Sequence, residues 1–393
     1  MASNVSPPIT SGELRGAGRV EPVAREVRVP ASTERLVSLD SFRGFIMFWI
    51  VGGGGLMVGL QALGKNPVID TVVYELNHTP WQGLRFYDCI WPSFMLMVGM
   101  SIPLSYARRS ASETYSDMLL HALKRAAVLF LLGSVRESAF LGSPYLIELS
   151  SALQPIAIAY LVGLLLVRKS PRFQIAVGAL ILTGYGLLLA LFPAPGIPAG
   201  TYQLNHNLVN AVDVALLRDH WLRWPYAPEG WGTVLSTIPT VSTTILGMIV
   251  GESLTSARGK QAKLKSIVVT GLSCLVLGYA LSPFIPVIMK MWTTSYGLVS
   301  AGWACLMFAL VYWLVDIRGY RKWCFPFVVI GSNAVFIYMF TSLLHLDRGM
   351  RIFTAGIGRA LGRGGPLFHE LSVIAAEWII LFWMFKRKIF IKA

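Results

Sequence analysis

The sequence predicts an all-α fold, a polytopic transmembrane helical bundle of about ten spans with both termini cytoplasmic. Three observations predict it. Of the 393 residues, 54% are hydrophobic and only 14% charged, whereas a soluble domain is about 25% charged. Apolar runs near 20 residues recur along the chain, the length that crosses about 30 Å of hydrocarbon. A β-barrel would alternate apolar and polar residues instead. Finally, 23 of the 34 Lys and Arg fall in the tail and the alternate loops that would share its side, and 10 fall in the others. That excess marks the cytoplasmic side.

The elements follow in order. Residues 1–34 are rich in Pro, Ser, Gly and Arg and lack an apolar run. They are expected to form a disordered basic cytoplasmic tail with no signal-peptide core. Residues 35–393 form the transmembrane domain. Its spans are expected at 38–60, 86–106, 122–141, 149–167, 173–192, 233–253, 266–289, 293–315, 325–345 and 368–386. One outer loop, 346–367, opposes the charge bias with Arg348, Arg351, Arg359 and Arg363. Two outer segments are long, 61–85 and 193–232. Trp221, Trp224, Tyr226 and Trp231 in the second suit either an interfacial belt or a sugar-stacking lid. No internal repeat or inverted symmetry is visible, which weakens a transporter reading.

The net charge of +14 sits in short loops between apolar runs. It points to an anionic lipid surface and not to nucleic acid. Cys89, Cys274, Cys305 and Cys324 are scattered without metal or disulfide spacing, which suits core thiols. No two of His78, His121, His206, His220, His345 and His369 share a helical metal-binding spacing, so no metal is expected.

The stretch from Arg35 to Ser105 holds most of the residues that could do chemistry. His78 lies between two spans in N-H-T-P-W-Q-G-L. A neutral imidazole there suits a general base, or it is an unremarkable interfacial His. Asp88 opens the next span, where it can orient an imidazole or cap the helix. Asp40 and Arg43 are three apart on one helix face, as an ion pair or as an anion site. The run Gly52–Gly55 is expected to break the first span and line a cavity, unless it serves close helix packing. Gln154 and Asn333 carry amides that need partners in lipid. Glu377, mid-span, must be paired, protonated or facing a cavity.

Taken together, R-L-V-S-L-D-S-F-R-G, the glycine run, H-x-x-W-x-G-L-x-x-x-D-x-x-x-P-x-F and V-G-M-S-I resemble the heparan-α-glucosaminide N-acetyltransferase family and its bacterial relatives. The resemblance continues through Leu153-Gln154, Pro228-Glu229-Gly230, Phe284–Val287, W-T-T-S-Y at 292–296, Gly331–Ala334 and the closing K-R-K-I-F-I-K, so it covers about 34–393. It implies an acyltransferase that takes acetyl-CoA from the cytoplasm and passes the acetyl group to an amino sugar or glycan across a bacterial inner membrane. It implies His78 as the catalytic His. It also implies Arg43, Gln154 and Asn333 as residues along the acetyl-CoA path, and Asp40 and Ser295 are expected to bind the cofactor beside them. Asn77 or Asn333 is the expected oxyanion donor. One His without a second obvious base favours direct transfer over an acetyl-His intermediate. A homodimer is compatible with the resemblance. The rival function is a transporter or flippase of a sugar-linked or anionic substrate. The chain also departs from the family. Val51 and Gly52 stand where the animal enzyme has an active-site Asn, its glycine-to-His spacing is shorter, and Glu148 replaces an Arg.

Overall fold

A computed structural model describes residues 36–142, 144, 146, 149, 152–217 and 232–391. The expected tail, Glu148, His220, the aromatic residues of 221–231 with Pro228-Glu229-Gly230, and Lys392 lie outside the described residues. Among the described residues the chain forms fourteen α-helices and one two-stranded ladder. It is an all-α polytopic membrane protein. Eight helices are long and apolar enough to cross a membrane, or nine if one bent pair counts as a span.

Helix α1 runs Val37–Ala62, α3 Ile90–Arg109, α4 Tyr115–Leu141, α6 Pro171–Leu191, α8 Val234–Thr255, α9 Lys260–Leu281, α10 Thr294–Tyr312 and α14 Gly365–Lys386. A shorter apolar helix, α5, spans Leu153–Leu166. The bent pair is α11, Phe325–Ser332, with α12, Ala334–Leu344, and turns by 75° at Asn333. Each expected span overlaps a helix or this pair, but 149–167 is matched only by the 14-residue α5, so eight or nine of the ten are long enough to cross.

Local chemistry sets several helix starts. The Thr114 hydroxyl accepts from Asp117 N while Asp117 reaches back to Thr114 N, a complete capping box at α4. Ser170 caps α6 with Pro171 in its first turn.

Burial sorts the helices into two shells. The spans of α3, α8 and α10 are 67, 72 and 61% buried, so they form the centre. Those of α1, α6, α9 and α14 are 22–28% buried and ring it. Their outward faces carry exposed apolar residues such as Leu180 and Val276, as a lipid-facing surface requires.

The run Gly52–Gly55 does not break the first span; α1 is continuous for 26 residues. Packing outweighs the weak helix propensity of glycine. A Cβ at Gly52 would lie 3.0 Å from Ile374, and one at Gly53 2.7 Å from the Tyr87 ring. The missing side chains let neighbours approach, which is the small-residue packing of membrane helices. The break falls at Asn333 instead.

Three surface helices lie where the hydropathy pattern marks only loops. Helix α2, Pro67–Glu75, is capped by Asn66. Helix α7, Leu208–Leu217, follows the hairpin Tyr202–Gln203 (β1) and His206–Asn207 (β2). Helix α13 spans Leu346–Ala360.

Candidate functional site

The segment between α2 and α3 brings His78 and Asp88 together. A short 3-10 turn, Tyr87–Cys89, leads into α3 and aims the Asp88 side chain back at the loop. His78 Nδ1 lies 2.8 Å from Asp88 Oδ1. The Asp88 side chain is fully buried, and that of His78 is 40% exposed.

The remaining acceptor sites of Asp88 are also filled. Thr79 Oγ1 donates to Oδ2 at 2.6 Å and Arg85 N at 3.0 Å. Thr79 N lies 3.3–3.4 Å from both oxygens. Surrounded by donors, the carboxylate acts as an acceptor only, so Nδ1 of His78 carries the proton it donates. The lone pair is then on Nε2.

Two aromatic groups and an arginine hold this pair. The Tyr87 ring lies 4.8 Å from the His78 ring, centroid to centroid. Its hydroxyl donates to Trp49 O at 3.2 Å, and its edge fills the space left by Gly53. Arg85 Nη1 donates to His78 O at 3.0 Å, and the guanidinium lies over the Tyr74 ring. From the centre of the bundle, Tyr296 Oη donates to Asp88 O at 2.7 Å.

The W-T-T-S-Y motif shapes a loop that borders this site. Thr293 Oγ1 donates to Pro286 O at 2.7 Å and accepts from Ile288 N at 3.1 Å. Ser295, fully buried, donates to Pro286 O at 2.9 Å. The loop so fixed pairs with the His78 loop, through Gly83 N to Val287 O at 2.8 Å and a bridge between Gln82 and Ile288. Ser295 is thus a loop anchor near the site.

The other expected residues are spread out. Asn77 adjoins His78 but faces outward on the loop. Asp40 and Arg43 are 3.5 Å apart on α1. Arg43 also donates to Met97 Sδ at 3.3 Å and Ser101 Oγ at 3.4 Å on α3. Arg43 and Gly53 are separated by ten residues, about 15 Å of helix. Gln154 Nε2 donates to Ser134 Oγ and Leu146 O, and Oε1 accepts from Leu149 N, which ties the α4–α5 connection to both helices. Asn333 Nδ2 donates to Ile389 O at 3.0 Å, and Oδ1 accepts from Ile391 N at 2.8 Å. Its amide satisfies backbone groups at the bend.

Asn333 is not brought to His78. Gly331, two residues earlier, packs on Asp40 O, and Asp40 lies about 20 Å along α1 from Gly53. Glu377 is buried and lines a groove of about 620 Å³ between α1, α11 and α14, with Phe48, Gly52, Phe327, Ile374 and Trp378 among its walls. Among the described residues no group of three His, Cys, Asp or Glu is arranged to hold a metal. All four cysteines are buried and free.

Sequence reasoning misses Thr79, Arg85, Tyr87 and Tyr296. Thr79 and Arg85 sit inside the motif beside His78, which is a usable signal. Tyr296 is 208 residues from Asp88, and no local pattern joins them.

No protein-family model matches the chain. It is 25% identical to heparan-alpha-glucosaminide N-acetyltransferase of Homo sapiens, over 84% of this chain and 57% of that protein. It is 23% identical to the protein of the same name from Mus musculus, over 100% of this chain and 66% of that protein. The chain thus spans less than two thirds of the length of each of these relatives. At the level of family, the chain is a distant relative of the heparan-α-glucosaminide N-acetyltransferases.

Proposed function

We propose that this protein is a transmembrane acetyltransferase that moves an acetyl group from cytoplasmic acetyl-CoA to an amino sugar or glycan on the outer side of a bacterial inner membrane. The observation that carries this reading is the Asp88–His78 pair, with Nε2 directed away from the buried carboxylate. The relationship to N-acetyltransferases supplies the reaction class.

His78 is the general base in this reading. The acceptor amine attacks the acetyl carbonyl carbon and passes a proton to His78 Nε2. The carbon–sulfur bond breaks and CoA leaves as the thiolate, which takes up the proton. Asp88 stabilises the imidazolium between these steps without becoming protonated. Arg85 and Tyr296 are positioning residues that hold His78 O and Asp88 O.

The charge bias between loops supports a cytoplasmic N-terminus. Arg43 then lies toward the cytoplasmic end of α1 and His78 beyond its other half. The phosphates of CoA would stay with the inner cations, and the pantetheine arm would follow α1 and α3 toward Tyr87. The transporter reading asks for broken spans in corresponding halves of the chain. Among the described residues one pair is bent, α11 with α12.

The test is CoA release by purified protein in detergent, given acetyl-CoA and glucosamine-ended acceptors. Wild type is compared with His78→Ala. Acceptor-dependent release is expected in the wild type and should fall by about 10²–10⁴ in the variant, while acetyl-CoA still binds. A variant retaining a tenth of wild-type activity or more, roughly, removes His78 as the base. A folded protein that neither binds nor consumes acetyl-CoA refutes the transferase.

A further inference from the structure

The four arginines that oppose the charge bias belong to one amphipathic element. Arg348, Arg351 and Arg359 lie on α13, and Arg363 lies in the turn that follows it. At 100° per residue, Leu346, Phe353, Ile357 and Ala360 share one side of α13. Arg348, Arg351 and Arg359 share the opposite side. One aspartate, Asp347, stands against the four arginines.

Helix α13 is held by the edge between these two sides. Thr354 Oγ1 is 2.7 Å from His369 Nδ1 on α14, and Gly358 packs on Gly365. The apolar side is left bare, with Phe353 74% exposed and Ile357 52%. The helix is joined to α12 at one end and to α14 at the other. It is therefore tied to the end of the α14 span.

We infer that α13 is an interfacial helix, with Phe353 and Ile357 inserted in the acyl boundary and Arg348, Arg351 and Arg359 on anionic phospholipid headgroups. A bare apolar side in water would be costly, and a basic amphipathic helix in the membrane plane meets both requirements. The placement fits the rest of the molecule. Arg363 lies against Gly64 just past the end of α1, and Leu367 packs on Gly59. Helix α13 is therefore on the same face of the bundle as His78. It would fix the depth of that face relative to the lipid surface. The lipid contact does not depend on the transferase reading.

The test uses the full chain in lipid nanodiscs. Spin labels are placed by Phe353→Cys, Ile357→Cys and, on the opposite side, Ala355→Cys; the native thiols are buried. Labels at 353 and 357 are expected to collide with oxygen more than with a water-soluble nickel chelate, and the label at 355 the reverse. Equal nickel access at all three positions overturns the inference. So do labels shielded from both reagents and broadened by spin–spin contact, since a second copy would then cover the face. In discs of mixed phosphatidylglycerol and phosphatidylcholine, the combined Arg348→Gln, Arg351→Gln and Arg359→Gln variant should lose about tenfold in retained phosphatidylglycerol over phosphatidylcholine. An unchanged ratio overturns the assignment of these arginines to anionic lipid.

Discussion

Asp88 Oδ1 accepts from His78 Nδ1 at 2.8 Å, while Asp88 Oδ2 accepts from Thr79 Oγ1 and Arg85 N. The two oxygens are therefore not equivalent, and this decides what an amide would do in their place. In Asp88→Asn, an NH2 at the Oδ2 position would face two strong donors. At the Oδ1 position it donates to His78 Nδ1, and the imidazole proton moves to Nε2. The second arrangement costs less and removes the lone pair from Nε2. Asp88→Asn should therefore lower the rate of acceptor-dependent CoA release by about 10²–10⁴ with the fold intact. A rate within about threefold of wild type would mean that the tautomer is not what matters.

Tyr296 reaches the same residue through its backbone. Tyr296→Phe removes the donor to Asp88 O in a fully buried position. Stability should fall by about 0.5–1.5 kcal/mol. Because Asp88 is then less firmly placed, kcat should fall while KM for acetyl-CoA stays unchanged. A purely structural role would lower the melting temperature and leave kcat per folded molecule at the wild-type value.

Two glycines of α1 should respond in opposite directions. A Cβ at Gly44 would run into the Phe327 carbonyl, which is backbone and cannot rotate away. Gly44→Ala should cost at least about 2 kcal/mol and loosen α11. A Cβ at Gly54 meets nothing within 4 Å, so Gly54→Ala should be neutral or up to about 1 kcal/mol stabilising. Thermal unfolding in detergent compares them. Equal effects would contradict the packing of α1 on α11.

Asp213 on α7 is expected to make stability depend on pH. Its carboxylate accepts from Thr233 Oγ1, Thr233 N and Val234 N, and so caps the start of α8. Burial pushes its carboxyl up, and these hydrogen bonds pull it down without cancelling the rise. A carboxyl raised in the folded state holds its proton more tightly there than in the unfolded chain. Its stabilising contribution is complete below the unfolded value of about 4 and is lost as pH rises through the folded value. Asp213→Asn should flatten the decline in melting temperature above about pH 4. A decline as steep as in the wild type would show that other groups cause it.

Much of this architecture was legible in the sequence. Ten apolar segments were readable because lipid demands length and apolarity from every span, and both are properties of contiguous residues. His78 and Asp88 were readable as a pair because they are ten residues apart with one loop between them. Other features required the folded chain. The glycine run looked like a break, since propensity counts against glycine; the neighbours that fill its space, Tyr87 and Ile374, come from the turn before α3 and from α14. The real bend, at Asn333, is held by residues 389–391, beyond α14. Helix α13 looked like a charged loop, because hydropathy averages a helix whose two sides cancel. Tyr296 and Asp88 belong to one network only because α10 and α3 meet in the centre of the bundle. Local solvation and spacing are encoded residue by residue, whereas contacts between distant segments exist only once packing has chosen which faces meet.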